Sequence, residues 1–137
     1  MRTKIMAAAL AAVLLTAPLA GCNNAPPAPP YEGAYDATYS LGETFTINIT
    51  DDTETRHKYA VCTVMLELGD ADIITTFDEK LHRVRQIVID TVGSKTTGRL
   101  QTAEQKTALR EELAEKINEE FNTTAVHRVV FSEFFFH

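Results

Sequence analysis

Cysteine is almost absent from this chain: 137 residues carry only Cys22 and Cys62, too few for a disulfide framework or a Cys-x-x-Cys element. The four histidines form no His-x-x-x-His pair, so a zinc site of that kind is excluded. Gly-x-Ser-x-Gly and Ser-x-x-Lys are both missing, and with them the common activated serines. There is no glycine-rich phosphate loop and no internal repeat. Basic residues are short as well, 13 Lys and Arg against 19 Asp and Glu, for a net charge of −6. Without clustered cations the chain lacks the footprint of a nucleic-acid binder. The same shortage argues against docking on anionic lipid through a basic patch. Past the N-terminal segment, no apolar run is long enough to span a bilayer, which takes roughly 20 residues.

What is present begins at the N-terminus. Arg2 and Lys4 precede an apolar stretch from Ile5 to Ala17, and small residues then lead to Cys22. Basic residues, a short apolar core and small residues are the signal-peptide pattern. Leu19-Ala20-Gly21-Cys22 resembles the lipobox of bacterial lipoproteins. That likeness implies cleavage after Gly21 and lipidation of Cys22; a simple secretory signal with an incidental cysteine is the alternative. Loss of residues 1–21 removes Arg2 and Lys4, so Lys and Arg fall to 11 against 19 acids and the net charge becomes −8. Pro26, Pro27, Pro29 and Pro30 give residues 22–36 the character of an extended tether. Polyproline geometry rises about 3.1 Å per residue, so the tether reaches on the order of 40 Å. Residues 37–137 then form one small domain.

Within that domain, Phe45, Ile47 and Ile49 alternate with polar residues, which predicts a strand with one buried face. Tyr59–Leu68 is β-branched and apolar on both faces, which predicts a central strand covered on both sides. Ile73, Ile74, Phe77, Leu81, Val84, Ile87, Val88 and Val92 recur at helical spacing, giving one helix of about five turns that Gly93 closes, with a Glu79–Arg83 pair on its wet side. Thr102-Ala103-Glu104-Gln105 is a capping-box pattern. It opens a second helix carrying Leu109, Leu113, Ile117 and Phe121, and Asn122 can end it. A last strand covers Ala125–Phe136. Alternation puts Val126, Val130, Phe134 and Phe136 on one of its faces and Val129, Phe131 and Phe135 on the other. The fold class is α+β, a small antiparallel or mixed sheet packed by two amphipathic helices.

Candidate sites are few. Glu79-x-x-His82 has the spacing of half a di-iron carboxylate site, but no second copy accompanies it. No catalytic, cofactor or metal residues are assigned. Cys62, in an apolar strand, reads as a buried small hydrophobe, with a reactive thiol as the alternative. Phe134, Phe135 and Phe136 would aggregate if bare; they are expected deep in the sheet or at a contact with another copy.

From Lys58 onward the chain resembles the FliL family of flagellar basal-body-associated proteins. The likeness rests on Lys58-Tyr59-Ala60-Val61 through Leu68, on Arg85-Gln86-Ile87-Val88-Ile89-Asp90 leading to Ser94-Lys95-Thr96, on Leu109-Arg110-Glu111-Glu112-Leu113, and on Val129-Val130-Phe131-Ser132-Glu133-Phe134. It implies a stomatin/prohibitin-like periplasmic domain that self-associates into rings around flagellar stator units and supports motility, as a scaffold rather than an enzyme. It also implies partners: further copies of the chain, stator and basal-body proteins, and the membrane. Members of that family are held by an N-terminal transmembrane helix, where this chain has a lipobox and a proline tether. The expectation is therefore a lipid-anchored, extracytoplasmic motor scaffold. A stomatin-like lipoprotein with no flagellar role and a periplasmic small-ligand module are the rivals.

Overall fold

A computed structural model describes residues 35–53 and 57–137. The expected signal segment, the lipidated Cys22 and the proline tether lie outside the described residues.

Four strands form one antiparallel sheet around β3 (His57–Leu68). On one side of β3 lie two short strands end to end: β1 (Ala37–Ser40) opposite its second half and β2 (Phe45–Thr50) opposite its first. On the other side β4 (Val126–Phe136) runs its whole length. Between β3 and β4 come three helices, α1 (Ile73–Glu79), α2 (Leu81–Gly93) and α3 (Ala103–Phe121), with a single 3-10 turn at Thr97–Arg99. The class is α+β, as the alternation and helical spacings predict.

The helices cover one face of the sheet only. Ala60, Cys62, Val64, Leu66 and Leu68 of β3 are buried against them, together with Phe45, Ile47 and Ile49 of β2. α2 packs on β2 and α3 on β4. The other face of β3 carries Tyr59, Val61, Thr63, Met65 and Glu67, none of them buried. The expectation of a strand covered on both sides is therefore corrected. An apolar residue on each face gave the pattern, but no element packs on the second face among the described residues.

The single five-turn helix is also corrected. The chain breaks at Lys80, whose φ of −120° and ψ of 26° leave the helical region. The apolar residues on either side have different targets. Phe77 is buried between Tyr39, at 5.6 Å between ring centroids, and Phe121, edge-on at 5.0 Å. Val84, Val88 and Val92 instead face the sheet core. Across this break Glu79 does not pair with Arg83; Arg83 reaches Glu120 on α3, at 2.6 Å from Nε. Gly93 ends α2, and Ser94 caps it in the right-handed region.

α3 follows the sequence closely. Thr102 accepts from the Gln105 N–H, and the Gln105 side chain accepts from the Thr102 N–H, which completes the capping box. Asn122 ends the helix at φ 48°, a left-handed position that asparagine tolerates. β1 has no clear sequence signal. With four residues, only Tyr39 of it fully enters the core.

β4 departs most from simple alternation. Its register against β3 slips twice, leaving Ser132 and His127 as extra residues. Each bulge reverses which side chains face the helices. Val126, Val129, Phe131, Phe134 and Phe136 consequently share the covered face, opposite Leu68, Leu66, Val64, Cys62 and Ala60. Val130 and Phe135 point to the open one. The two expected faces of β4 were thus mixed.

Candidate functional site

The residues first considered for chemistry do not converge. Glu79 and His82 stand exposed on two helices separated by the break at Lys80. Among the described residues no group of three His, Cys, Asp or Glu side chains could hold a metal ion. Cys62 is fully buried and free, and burial pushes its thiol up to about 11. A thiol so placed is protonated near neutral pH and closed to reagents.

The sequence blocks that looked most distinctive are spent on framework contacts instead. Arg85 donates to the carbonyls of Leu41 and Glu43 and lies 4.0 Å over the Phe45 ring, so it clamps the β1–β2 connection onto α2. Ser94-Lys95-Thr96 joins three elements. The Ser94 hydroxyl donates to Thr91 O at 2.7 Å. Lys95 Nζ lies 2.6 Å from Glu112 on α3. The Thr96 hydroxyl donates to Asp52 in the β2–β3 turn at 2.6 Å, and Thr96 bridges to Thr50 in parallel. Asp52 also accepts from Thr97, and the Thr96 bond holds its carboxyl below the ordinary carboxylate range.

Leu109-Arg110-Glu111-Glu112-Leu113 divides its labour. Leu109 and Leu113 are core. Arg110 sits over the Phe131 ring, 5.9 Å from its centroid. Glu112 lies between Lys95 and Lys116, which are 2.6 and 2.9 Å away. Val129-x-Phe131-x-x-Phe134 steps by two and then by three because the Ser132 bulge occupies the longer gap. The irregular step was the available signal for that bulge.

Two surfaces remain. The first is the open sheet face, where Tyr59, Val61, Met65, Val130 and Phe135 make an apolar stripe. Thr46 and Asn48 border it on one flank, and the Glu67–Arg128 pair closes one end with two hydrogen bonds of 2.6 and 2.8 Å. Of the three terminal phenylalanines, Phe135 alone is more than a third exposed, at 43%. Phe134 and Phe136 lie half-buried on the covered face, in edge contact with each other at 5.5 Å.

The second surface is the outer edge of β4, which pairs with no other strand among the described residues. The opposite edge is partly closed where Thr96 bridges to Thr50 at the end of β2.

A one-sided antiparallel sheet, backed by helices and bound together by motif residues, defines a small α+β domain that presents an open sheet face and an open sheet edge. The chain matches the family model described as "Flagellar basal body-associated protein FliL" over residues 38–136, and it belongs to that family. It is 29% identical over 107 residues to a "Flagellar protein FliL" of Aquifex aeolicus (strain VF5), across 78% of this chain and 63% of that relative. The chain thus spans somewhat under two thirds of the length of that relative. Family membership makes it a flagellar basal body-associated protein.

Proposed function

We propose that the chain is a lipid-anchored scaffold at the flagellar basal body that self-associates close to the stator and modulates motor output. Its folded domain is held outside the cytoplasm by acylated Cys22 and the proline tether. The family match over residues 38–136 carries the flagellar assignment, and Leu19-Ala20-Gly21-Cys22 carries the anchor. Self-contact draws on the open sheet face. Phe135 and Tyr59 expose 43% and 45% of their surface there, on a strand pair that nothing covers among the described residues. Phe134 and Phe136, first grouped with Phe135 as interface candidates, support that face from behind. A scaffold needs no catalytic group, and the distinctive sequence blocks serve framework contacts.

The test is a deletion of this gene complemented with the parent or with Cys22→Ala. Lower swimming or swarming speed in the deletion, restored by the parent and not by Cys22→Ala, supports the reading. Unchanged motility in the deletion overturns the motor role. Full rescue by Cys22→Ala removes the anchor from the mechanism.

A further inference from the structure

α3 packs on β4 and reaches its outer edge at Asn118. Lys106, Arg110, Ala114 and Asn118 recur every four residues and form one row of the helix. At one end of the row, Asn118 donates from Nδ2 to Val126 O at 2.9 Å and accepts at Oδ1 from Val126 N at 3.0 Å. Val126 therefore turns both its backbone groups away from β3, toward the edge. Further along, Arg110 lies over Phe131 and Lys106 over Phe134, 5.5 Å from its centroid.

Past the Ser132 bulge the edge is open. Tyr59 and His137 exchange both backbone hydrogen bonds, at 2.9 Å each. Alternation of bonded and non-bonded pairs in an antiparallel ladder then points the N–H and C=O of Phe136 and Phe134 outward. No proline, lysine or bulge blunts this stretch, although natural edges usually carry one. Lys106 and Arg110 beside it have no carboxylate partner among the described residues. Arg110 Nε is buried with no hydrogen-bond partner among the described residues.

We propose that the Phe134–Phe136 edge of β4 accepts one extended strand of a partner protein. The strand carries an acidic side chain that meets Lys106 and Arg110. Its backbone completes the outward groups of Phe134 and Phe136, and its apolar side chains lie beside the two rings. Such strand addition takes affinity from the main chain and selectivity from alternate side chains. Two other occupants fit worse. A second copy pairing through β4 would bring its own α3 alongside. Adjacent strands lie about 4.8 Å apart, whereas packed helices need about 8–10 Å. The chain's own tether carries Pro26, Pro27, Pro29 and Pro30, which lack the N–H groups an added strand donates. The charge is what selects the partner: in a chain with net charge −6, two cations without a carboxylate among the described residues stand beside an edge that pairs with no described strand. This site is separate from self-association through the open face.

The experiment uses the mature chain in detergent and two eight-residue peptides, one alternating valine with glutamate and the other valine with lysine. Amide exchange is followed by NMR. Without peptide, the Phe134 and Phe136 amides exchange fast and the Phe135 amide slowly. The glutamate peptide slows Phe134 and Phe136 several-fold, and the lysine peptide does not. The double variant Lys106→Glu, Arg110→Glu inverts that preference, and Lys80→Glu, at the α1–α2 junction, leaves it intact. Equal response to both peptides, or protection elsewhere on the chain, overturns the proposal. Protection of Phe134 and Phe136 that grows with chain concentration and needs no peptide assigns the edge to a second copy and overturns it too. Sedimentation of the chain without peptide reports self-association independently, so the two readings fail separately.

Discussion

Asn118 holds Val126 by both of its backbone groups, through bonds of 2.9 and 3.0 Å. A side-chain amide here occupies the place a neighbouring strand would take, and it fixes where β4 begins. Asn118→Leu keeps a comparable volume and removes both bonds. The expected loss is about 1–3 kcal/mol, the range for leaving a part-buried donor and acceptor unsatisfied. Asn118→Asp keeps the acceptor and should lose less. Urea unfolding of the three proteins checks both the size and the order.

Cys62 lies opposite Phe45 and Phe134 in the sheet, fully buried. Near neutral pH it should resist a thiol reagent in the native chain and react at the rate of unfolding. Cys62→Ala should fold. Cys62→Ser buries a hydroxyl among apolar neighbours and should cost about 1–3 kcal/mol. Rapid labelling of the native chain would contradict this account of the core.

Glu112 predicts how the domain responds to acid. Burial raises its carboxyl, but bonds from Lys95 and Lys116 outweigh this and hold it below its ordinary value. A carboxylate depressed in the folded state adds stability above its unfolded value, about 4.3. That contribution is lost as pH falls through the lowered folded value. Glu112→Gln should therefore weaken the fold at neutral pH, and its deficit should shrink toward zero on acidification. Asp52, held low first of all by the Thr96 hydroxyl, has the same sign. Denaturant midpoints of parent and variants across an acid series measure both.

The three terminal phenylalanines should separate in their effects. Phe135→Ser removes an exposed ring from the open face and should leave stability within about 0.5 kcal/mol, as for surface changes generally. It should reduce self-association. Phe134→Ser opens the covered face opposite Cys62 and should destabilise by about 2–4 kcal/mol. Sedimentation velocity and thermal unfolding on the same preparations distinguish the two. If Phe135→Ser sediments like the parent, self-contact does not use this face.

Much of the fold was legible in particular residues. The Phe45-Ile47-Ile49 alternation, the Thr102–Gln105 box and Asn122 each encode their element locally, because one turn or a few residues of chain determine the outcome. What was missed depends on distant partners. The break at Lys80 follows from Phe77 meeting Phe121, 44 positions away, and no local spacing announces that. Val61 and Met65 are apolar on an uncovered face, so periodicity read them as buried. The Ser132 bulge did leave a trace, the step from Phe131 to Phe134, but only pairing with β3 gives it meaning. The surfaces were harder still. Alternation already set Phe135 on the face opposite Phe134 and Phe136, but only the packing of the helices shows which of the two faces is open. The open edge of β4 could not be seen until the sheet order showed that no described strand pairs with it.

β1 gives the domain a direction of pull. The described chain begins at Tyr35, and the first rung holding it is Asp36 N to Leu68 O at 2.8 Å. A ladder of four residue pairs follows, from Ala37–Leu68 to Ser40–Met65. Tension applied at Tyr35 along the strand loads those rungs together, as shear. Tension applied across the strand loads the Asp36 rung alone and then each of the others in turn. Under the anchoring proposed above, the pull enters at this end, and the domain is then not equally strong in every direction. The direction of a pull on β1 sets how much force the fold can bear before it opens.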